Sequence, residues 1–233
     1  MMCEWNEEHI RFARDAADYG DYYSCLAEKL LKYLPRGGRI CDVGCGMGDL
    51  SLALSLYFAE VSACDVSPTA IAELRCRMDG EKIRVICGDI AKNPAEIPYD
   101  GMVFSLFGSP EQILDIAAWQ CQGTVCVVNR SNREHRFSLE KQTLHHDSAG
   151  ELMEALQMRG VPFQAEEFTL EFGQPFRSEE DAMAFFTLYN RENRQPSWES
   201  VLARLRKTGR QDFPLYAPEA KGLHLLCFDS RDL

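Results

Sequence analysis

Glycines at alternate positions follow a short apolar segment near residue 40, and an acidic residue precedes them. Residues 40–48 read Ile-Cys-Asp-Val-Gly-Cys-Gly-Met-Gly. Glycine at the C-terminal end of a strand lets the backbone approach a ligand closely. The sequence therefore predicts a ligand-binding loop made of Asp42, Gly44, Cys45, Gly46 and Gly48.

Two further aspartates end the next two apolar segments. Asp65 lies about twenty residues beyond the first glycine, where a carboxylate can accept both hydroxyls of a ribose. Asp89 is placed to accept from the exocyclic amine of adenine, and the neighbouring Val66 and Ile90 are predicted to contact the same ligand, Ile90 as an apolar surface for the ring. Each aspartate alone is equally well explained as a turn or cap residue. Three acidic strand ends in this order, with the glycine loop between the first two, indicate a nucleoside-binding site.

The residue after the last glycine bears on the kind of cofactor. A dinucleotide-binding motif has a third glycine where this chain has Asp49. A carboxylate beside a helix N-terminus repels a pyrophosphate. A cofactor with a sulfonium cation and no phosphate meets no such conflict, so a nicotinamide-dependent oxidoreductase is the disfavoured alternative.

Short strand-like segments alternate with helical patterns from residue 39 onward, which is typical of a parallel sheet built from βαβ units. Helix starts are indicated by Ser67-Pro68, by Ser109-Pro110-Glu111-Gln112 and by Ser148. The predicted strands are Arg39–Val43, Glu60–Asp65, Ile83–Cys87, Gly101–Phe107, Thr124–Asn129, Phe163–Phe172 and Gly222–Phe228.

With 233 residues, 45% hydrophobic and 26% charged, the chain is predicted to form a single domain. We expect a helical cap over residues 1–35, a cofactor-binding core over 36–160, and C-terminal strands over 161–233. Helices are predicted over 178–191 and 198–207, as an insertion before the last strand.

The motif residues resemble class I S-adenosylmethionine (SAM)-dependent methyltransferases, whose signature is an acidic residue, then Gly-x-Gly-x-Gly, then acidic residues closing the next two strands. The resemblance is specific over Arg39 to Asn129 and extends to the rest only in layout. It implies SAM as cofactor and an α/β, Rossmann-like, mostly parallel seven-stranded sheet with an antiparallel last strand. It also implies that the glycine loop packs on the methionine part of SAM, Asp65 holds the ribose and Asp89 reads the adenine.

The tip of the fourth strand is expected to face the transferred methyl group, with Ser105 and Phe107 beside the cofactor. This tip lacks the Asn/Asp-Pro-Pro-aromatic and Pro-Cys sequences of enzymes that methylate nucleic-acid bases or glutamine. The net charge of −11 also disfavours a phosphate backbone. The predicted acceptor is therefore a small molecule, with no nucleic-acid partner.

Aromatic side chains are in excess in the N-terminal segment and in the predicted insertion. We expect most of them to dock helices, and a few to form a lid over the acceptor above Phe107. Tyr19, Tyr22 or Tyr23 is predicted to reach the methionine end of SAM, with Tyr22 as the assigned contact and Arg11 or Arg14 near the cofactor carboxylate. These rings are Trp5, Phe12, Tyr19, Tyr22, Tyr23, Phe176, Phe185, Phe186, Tyr189 and Trp198.

No catalytic residue is assigned from the sequence. The candidates for a general base are His135, His145 and His146, which all lie in a polar stretch. A SAM- or nucleotide-binding module without catalysis remains an alternative. Arsenic methylation is weakened, because it needs several thiols that converge outside the core.

The cysteines are scattered, and no Cys-x-x-Cys pair predicts a metal site. We expect reduced thiols that pack in the core at Cys41, Cys64, Cys87, Cys126 and Cys227. No secretory signal and no apolar run of membrane-spanning length is recognisable, so a cytoplasmic location without a membrane partner is expected. The oligomeric state stays open.

Overall fold

A seven-stranded sheet carries the predicted motif. The computed structural model describes residues 6–78, 82–131, 137, 148–190 and 195–233. The strands are β1 (Arg39–Val43), β2 (Glu60–Asp65), β3 (Ile83–Cys87), β4 (Tyr99–Ser105), β5 (Cys121–Arg130), β6 (Phe163–Glu171), β7 (Gln174–Phe176), β8 (Arg206–Lys207), β9 (Leu215–Ala217) and β10 (Ala220–Asp229).

Eight α-helices are assigned within these residues. They are α1 (Glu7–Tyr19), α2 (Tyr22–Leu30), α3 (Asp49–Leu54), α4 (Pro68–Arg77), α5 (Pro110–Gln120), α6 (Ser148–Arg159), α7 (Glu179–Tyr189) and α8 (Trp198–Leu202). Two of the predicted caps are confirmed, because the Ser67 side chain accepts from the Ala70 amide and Ser109 with Gln112 forms a capping box.

The sheet has the order β3-β2-β1-β4-β5-β10-β6. The first five strands in this order pair in parallel, and β10 pairs antiparallel with β5. This confirms the predicted mostly parallel seven-stranded sheet with an antiparallel last strand. The strand order reverses between β1 and β4, which is where open α/β sheets bind ligands.

The chain divides into two compact units. Among the described residues, the larger unit comprises 23–78, 82–131, 148–168 and 223–233. Its main core joins one face of β1, β2, β4 and β5 to α5 and α6, and it includes Val43, Phe104, Ile113 and Leu152. The core supports the carboxyl ends of β1 and β4, where the glycine loop emerges.

The smaller unit comprises the described residues 6–22, 137, 169–190 and 195–222. It contains a three-stranded sheet of order β7-β9-β8, which the sequence did not predict. The predicted helix over 198–207 was wrong in its second half: α8 ends at Leu202, and Arg206–Lys207 pairs with β9. Two residues are too few to show strand periodicity, so pairing with β9 decides their conformation.

Aromatic rings form the core of the smaller unit. Phe12, Phe176, Phe185 and Phe186 are at most 1% exposed and pack mostly edge to face, with 5.0 Å between the Phe12 and Phe185 centroids. These four rings dock the helices and β7 on one another, as expected for most of the aromatic residues. Trp5 lies outside the described residues.

Cys41, Cys64, Cys126 and Cys227 are buried as predicted, but Cys87 is exposed. Because β3 is an edge strand in which only Ile83 is fully buried, its apolar residues did not indicate a buried Cys87. No described helix is both long and apolar enough to cross a membrane.

Candidate functional site

The glycine loop turns sharply at the end of β1. The Gly44 and Cys45 amides both donate to the Cys64 carbonyl oxygen, at 2.8 and 3.0 Å. Gly44, Gly46 and Gly48 have φ values of 71°, 56° and 78°, in the left-handed region that favours glycine. The alternate glycines are therefore explained by the backbone that the turn requires.

The ring of Phe107 lies directly against Gly44. A Cβ atom built on Gly44 would stand 2.3 Å from Phe107 Cδ2. The missing side chain thus lets the β4 tip close on the loop, which brings two of the predicted site residues together.

We predict that Gly44→Ala lowers both the melting temperature and SAM affinity, because the new methyl group displaces Phe107 and a left-handed alanine costs about 1–2 kcal/mol. Gly37→Ala is the matched control, since Gly37 has φ 73° but no atom within 4 Å of its built Cβ. Thermal unfolding and calorimetric titration of both variants measure the difference. Equal losses in the two variants would refute the close-packing explanation.

Asp65 fixes the shape of the loop. Its Oδ2 accepts from the Gly46 amide at 2.9 Å, and its Oδ1 accepts from the Ser67 amide at 2.8 Å. Each carboxylate oxygen has a second lone pair, so the group can still accept from ribose hydroxyls. Asp65 therefore ties β2 and the start of α4 to the glycine loop and remains a candidate for the ribose.

Asp42 is 1% exposed and accepts a hydrogen bond from Ser51 Oγ at 2.6 Å. Burial raises the pKa of this carboxyl from 3.8 to about 6, although the Ser51 hydrogen bond opposes the shift. Asp42 joins β1 to α3 beneath the loop. Its contact with the cofactor stays a prediction.

Asp49 begins α3 and forms an ion pair with Arg77 of α4, at 2.6 Å between Oδ1 and Nη1. Both side chains are largely buried, with 8% and 17% exposure. Arg77 compensates the carboxylate, so Asp49 repels a phosphate less than the sequence suggested. The Asp49 carboxylate therefore disfavours a dinucleotide less strongly than its place in the sequence suggests.

Asp89 and Val66 are accessible at the ends of β3 and β2. The Asp89 side chain is 41% exposed, and its Oδ1 accepts from the Ala91 amide at 3.0 Å. Val66 is 48% exposed. Ile90 is only 4% exposed and packs in the main core, so Val66 is the more accessible apolar surface for an adenine ring.

The tip of β4 has an unusual backbone. Leu106 has φ 55°, and its amide donates to the Val128 carbonyl oxygen at 2.8 Å. Leu106 is 42% exposed, whereas Ser105 and Phe107 on either side of it are partly buried. Non-glycine residues are uncommon in the left-handed region of backbone conformation, and those that occur there are concentrated at functional sites.

Two polar residues lie next to this tip and were missed by sequence reasoning. Asn129 of β5 is 4% exposed and pairs directly with His224 of β10. The sequence signal that could have found them is that each is a polar residue within an otherwise apolar strand segment. Their proximity became visible only from the strand register.

Tyr22 and Arg11, which were also predicted near the cofactor, belong to the smaller unit. Tyr22 is 3% exposed in the smaller unit, where its ring lies 4.4 Å from that of Phe172, centroid to centroid. Arg11 forms an ion pair with Asp181 at 2.7 Å. His135, His145 and His146 lie outside the described residues. The cofactor contact of Tyr22 therefore stays a prediction.

Residues 40–119 match a family described as a methyltransferase domain. No curated protein sequence matches the chain significantly. A putative methyltransferase from an antibiotic biosynthesis pathway of Anabaena variabilis is 16% identical, with a TM-score of 0.56 over 88% of this chain and 96% of that one.

Two further solved structures share the fold. A precorrin-6y methyltransferase from Geobacter metallireducens is 10% identical, with a TM-score of 0.55 over 88% of this chain and 87% of that one. Magnesium protoporphyrin IX methyltransferase from Synechocystis, with bound S-adenosylhomocysteine (SAH), is 13% identical, with a TM-score of 0.51 over 98% and 90% of the two chains.

The family match covers the glycine loop, Asp65 and Asp89, and the structural neighbours share the sheet that presents them. The motif, the fold and the family match agree on one assignment. Residues 40–119 form a methyltransferase domain, and their glycine loop and strand-end aspartates resemble those of class I SAM-dependent methyltransferases.

Proposed function

We propose that this methyltransferase transfers the methyl group of SAM to a small-molecule acceptor at the carboxyl ends of β1 and β4. The observation that carries the proposal is the glycine loop, which is closed against Phe107 and tied by the Asp65 carboxylate. This arrangement sits where the strand order reverses.

The residues present fit SAM. Its cationic, phosphate-free structure suits a loop bordered by the carboxylates of Asp42, Asp65 and Asp89. We assign the glycine loop from Gly44 to Gly48 to the methionine part, Asp65 to the ribose, and Val66 with Asp89 to the adenine. Bound SAM supplies an electrophilic methyl carbon on sulfur.

The protein contributes alignment of the reacting atoms and exclusion of water. Phe107 covers Gly44, and Leu106 projects beside it with an exposed apolar side chain. These two side chains favour an acceptor with an apolar surface. The names of the precorrin and protoporphyrin enzymes show that the fold serves small-molecule acceptors in other proteins. A cytoplasmic location stays a prediction.

SAM and SAH are both expected to raise the melting temperature, because a ligand at about one hundred times its dissociation constant adds roughly 2.7 kcal/mol to the free energy of unfolding. NAD is expected to have no effect. Differential scanning fluorimetry with the three ligands makes the comparison. A shift with NAD and none with SAM would overturn the cofactor assignment.

Methyl transfer itself is tested with SAM labelled in the methyl group and a fractionated metabolite extract. We expect label to appear in a low-molecular-mass product in the presence of the protein. Label in protein or RNA would contradict the small-molecule acceptor. Binding of SAM without transfer to any fraction would favour the alternative of a non-catalytic binding module.

A further inference from the structure

Three side chains that the proposed cofactor site does not use lie side by side at one edge of the sheet. Leu106 follows β4, Asn129 is the next-to-last residue of β5, and His224 lies near the middle of β10. The Leu106 amide donates to the Val128 carbonyl oxygen, which places Leu106 beside Asn129. Asn129 and His224 are directly paired in the antiparallel register, so their side chains share one face of the sheet.

Asn129 has an unsatisfied polar atom. Its Nδ2 is buried, and it makes no hydrogen bond among the described residues. Leaving a buried donor unpaired costs about 1–3 kcal/mol. Such a group in a folded protein calls for a partner that arrives with a ligand or with water.

Leu106 differs from Asn129 in that its side chain is apolar and is exposed to solvent. Its left-handed backbone is strained for leucine, and glycine would adopt it without cost. Strain of this kind concentrates at functional sites. The bend turns the side chain out of the core, and 42% of it is exposed beside Phe107.

We infer that Leu106, Asn129 and His224 form the acceptor subsite, and that the acceptor carries a hydroxyl group on an apolar framework. The inference rests on the proposed methyl transfer. Leu106 contacts the framework, the Asn129 amide donates to the acceptor oxygen, and His224 accepts its proton.

The class of acceptor follows from the histidine. A neutral amine attacks without prior loss of a proton, and a carboxylate has already lost its own, whereas a hydroxyl needs a base. The hydroxyl proton passes to His224 as its oxygen bonds to the methyl carbon. The electrons of the carbon–sulfur bond stay on sulfur, which leaves a methyl ether, SAH and a protonated histidine that returns its proton to solvent.

The first test measures label transfer from methyl-labelled SAM to the metabolite extract. We expect His224→Gln to lower transfer at least 100-fold with SAM affinity unchanged, and added imidazole to restore part of the activity of His224→Ala. His9→Gln is the control, because His9 is the cap contact of α1 in the smaller unit. Transfer by His224→Gln at the wild-type rate overturns the role of His224.

The second test needs no acceptor. It compares melting temperatures only. Asn129→Leu removes an unpaired buried amide, so we expect its melting temperature to rise above that of wild type. Gln120→Leu is the matched control: Gln120 is equally buried, but its amide donates to the Ile90 carbonyl at 2.5 Å and accepts from the Ala95 amide at 3.3 Å. We expect that variant to be less stable than wild type.

A loss of stability in Asn129→Leu similar to that in Gln120→Leu would show that the Asn129 amide is already paired, and would overturn the subsite. This outcome differs from failure of the proposed function. If wild-type protein transfers no label, methyl transfer fails, and the stability contrast alone then decides whether Asn129 waits for a ligand.

Discussion

Asp65→Ala is expected to raise the dissociation constant of SAM about 100-fold or more. The carboxylate is assigned to the ribose, and a hydrogen bond to a charged group contributes about 1.5–3 kcal/mol. The change also frees the Gly46 and Ser67 amides, which Asp65 holds at 2.9 and 2.8 Å. Isothermal titration with SAM and SAH measures the loss.

Two comparisons separate the ribose contact from the shape of the loop. Asp65→Asn keeps one acceptor oxygen, but its amide nitrogen cannot accept from the second backbone amide. The second comparison uses 2′-deoxy-SAH, which lacks one ribose hydroxyl. Wild-type protein should bind it more weakly than SAH, whereas Asp65→Ala should bind the two ligands with equal affinity. A discrimination against the deoxy ligand that persists in Asp65→Ala would show that Asp65 acts on the loop alone.

Asp89→Ala is the reference for an exposed carboxylate at a neighbouring strand end. Its side chain is 41% exposed and pairs with Lys92 across 3.6 Å. Solvent competes for such a group, so we expect a smaller loss of SAM affinity than for Asp65→Ala. A larger loss would place the main polar contact with the cofactor at the adenine end.

The sequence predicted the first three strands with their observed ends, because each is a short apolar run closed by a polar residue or glycine. It also predicted the glycine loop, since positive φ values are largely a property of glycine. Where local chemistry decides the conformation, the amino-acid sequence is sufficient.

The sequence was insufficient where residues far apart in the chain determine the outcome. Arg77 neutralises Asp49 across the start of α3, and no local pattern shows this pair. Asn129 and His224 become neighbours only through the antiparallel register of β5 and β10. The left-handed backbone of Leu106 likewise contradicts the preference of leucine and depends on its surroundings.

Unfolding of the protein without ligand is expected to depend on pH through Asp42. Burial raises the pKa of this carboxyl from 3.8 in the unfolded chain to about 6 in the folded protein. The folded state therefore binds the proton more tightly, and this contribution to stability is complete below pH 3.8 and is lost as the pH rises through about 6. The expected loss is about 3 kcal/mol, at 1.36 kcal/mol for each pKa unit.

Asp42→Asn removes this dependence and retains an oxygen that can accept from Ser51 Oγ. The free energy of unfolding of the variant relative to wild type should therefore increase between pH 4 and pH 7, by about 2.4 kcal/mol. Asp100 and Asp229, whose pKa values are lowered, titrate in both proteins and cancel in the difference. Urea denaturation across this pH range measures it.

Ser51→Ala serves as the counterpart, because it leaves the buried carboxylate without its 2.6 Å hydrogen bond. Its destabilisation should be larger at pH 7 than at pH 4, since the ionised form loses more than the protonated form. If the difference in the free energy of unfolding between Asp42→Asn and wild type does not change with pH, burial does not raise the pKa of Asp42. If Asp42→Asn is more stable than wild type at pH 7 but binds SAM more weakly, the buried carboxylate lowers the stability of the fold and contributes to ligand binding.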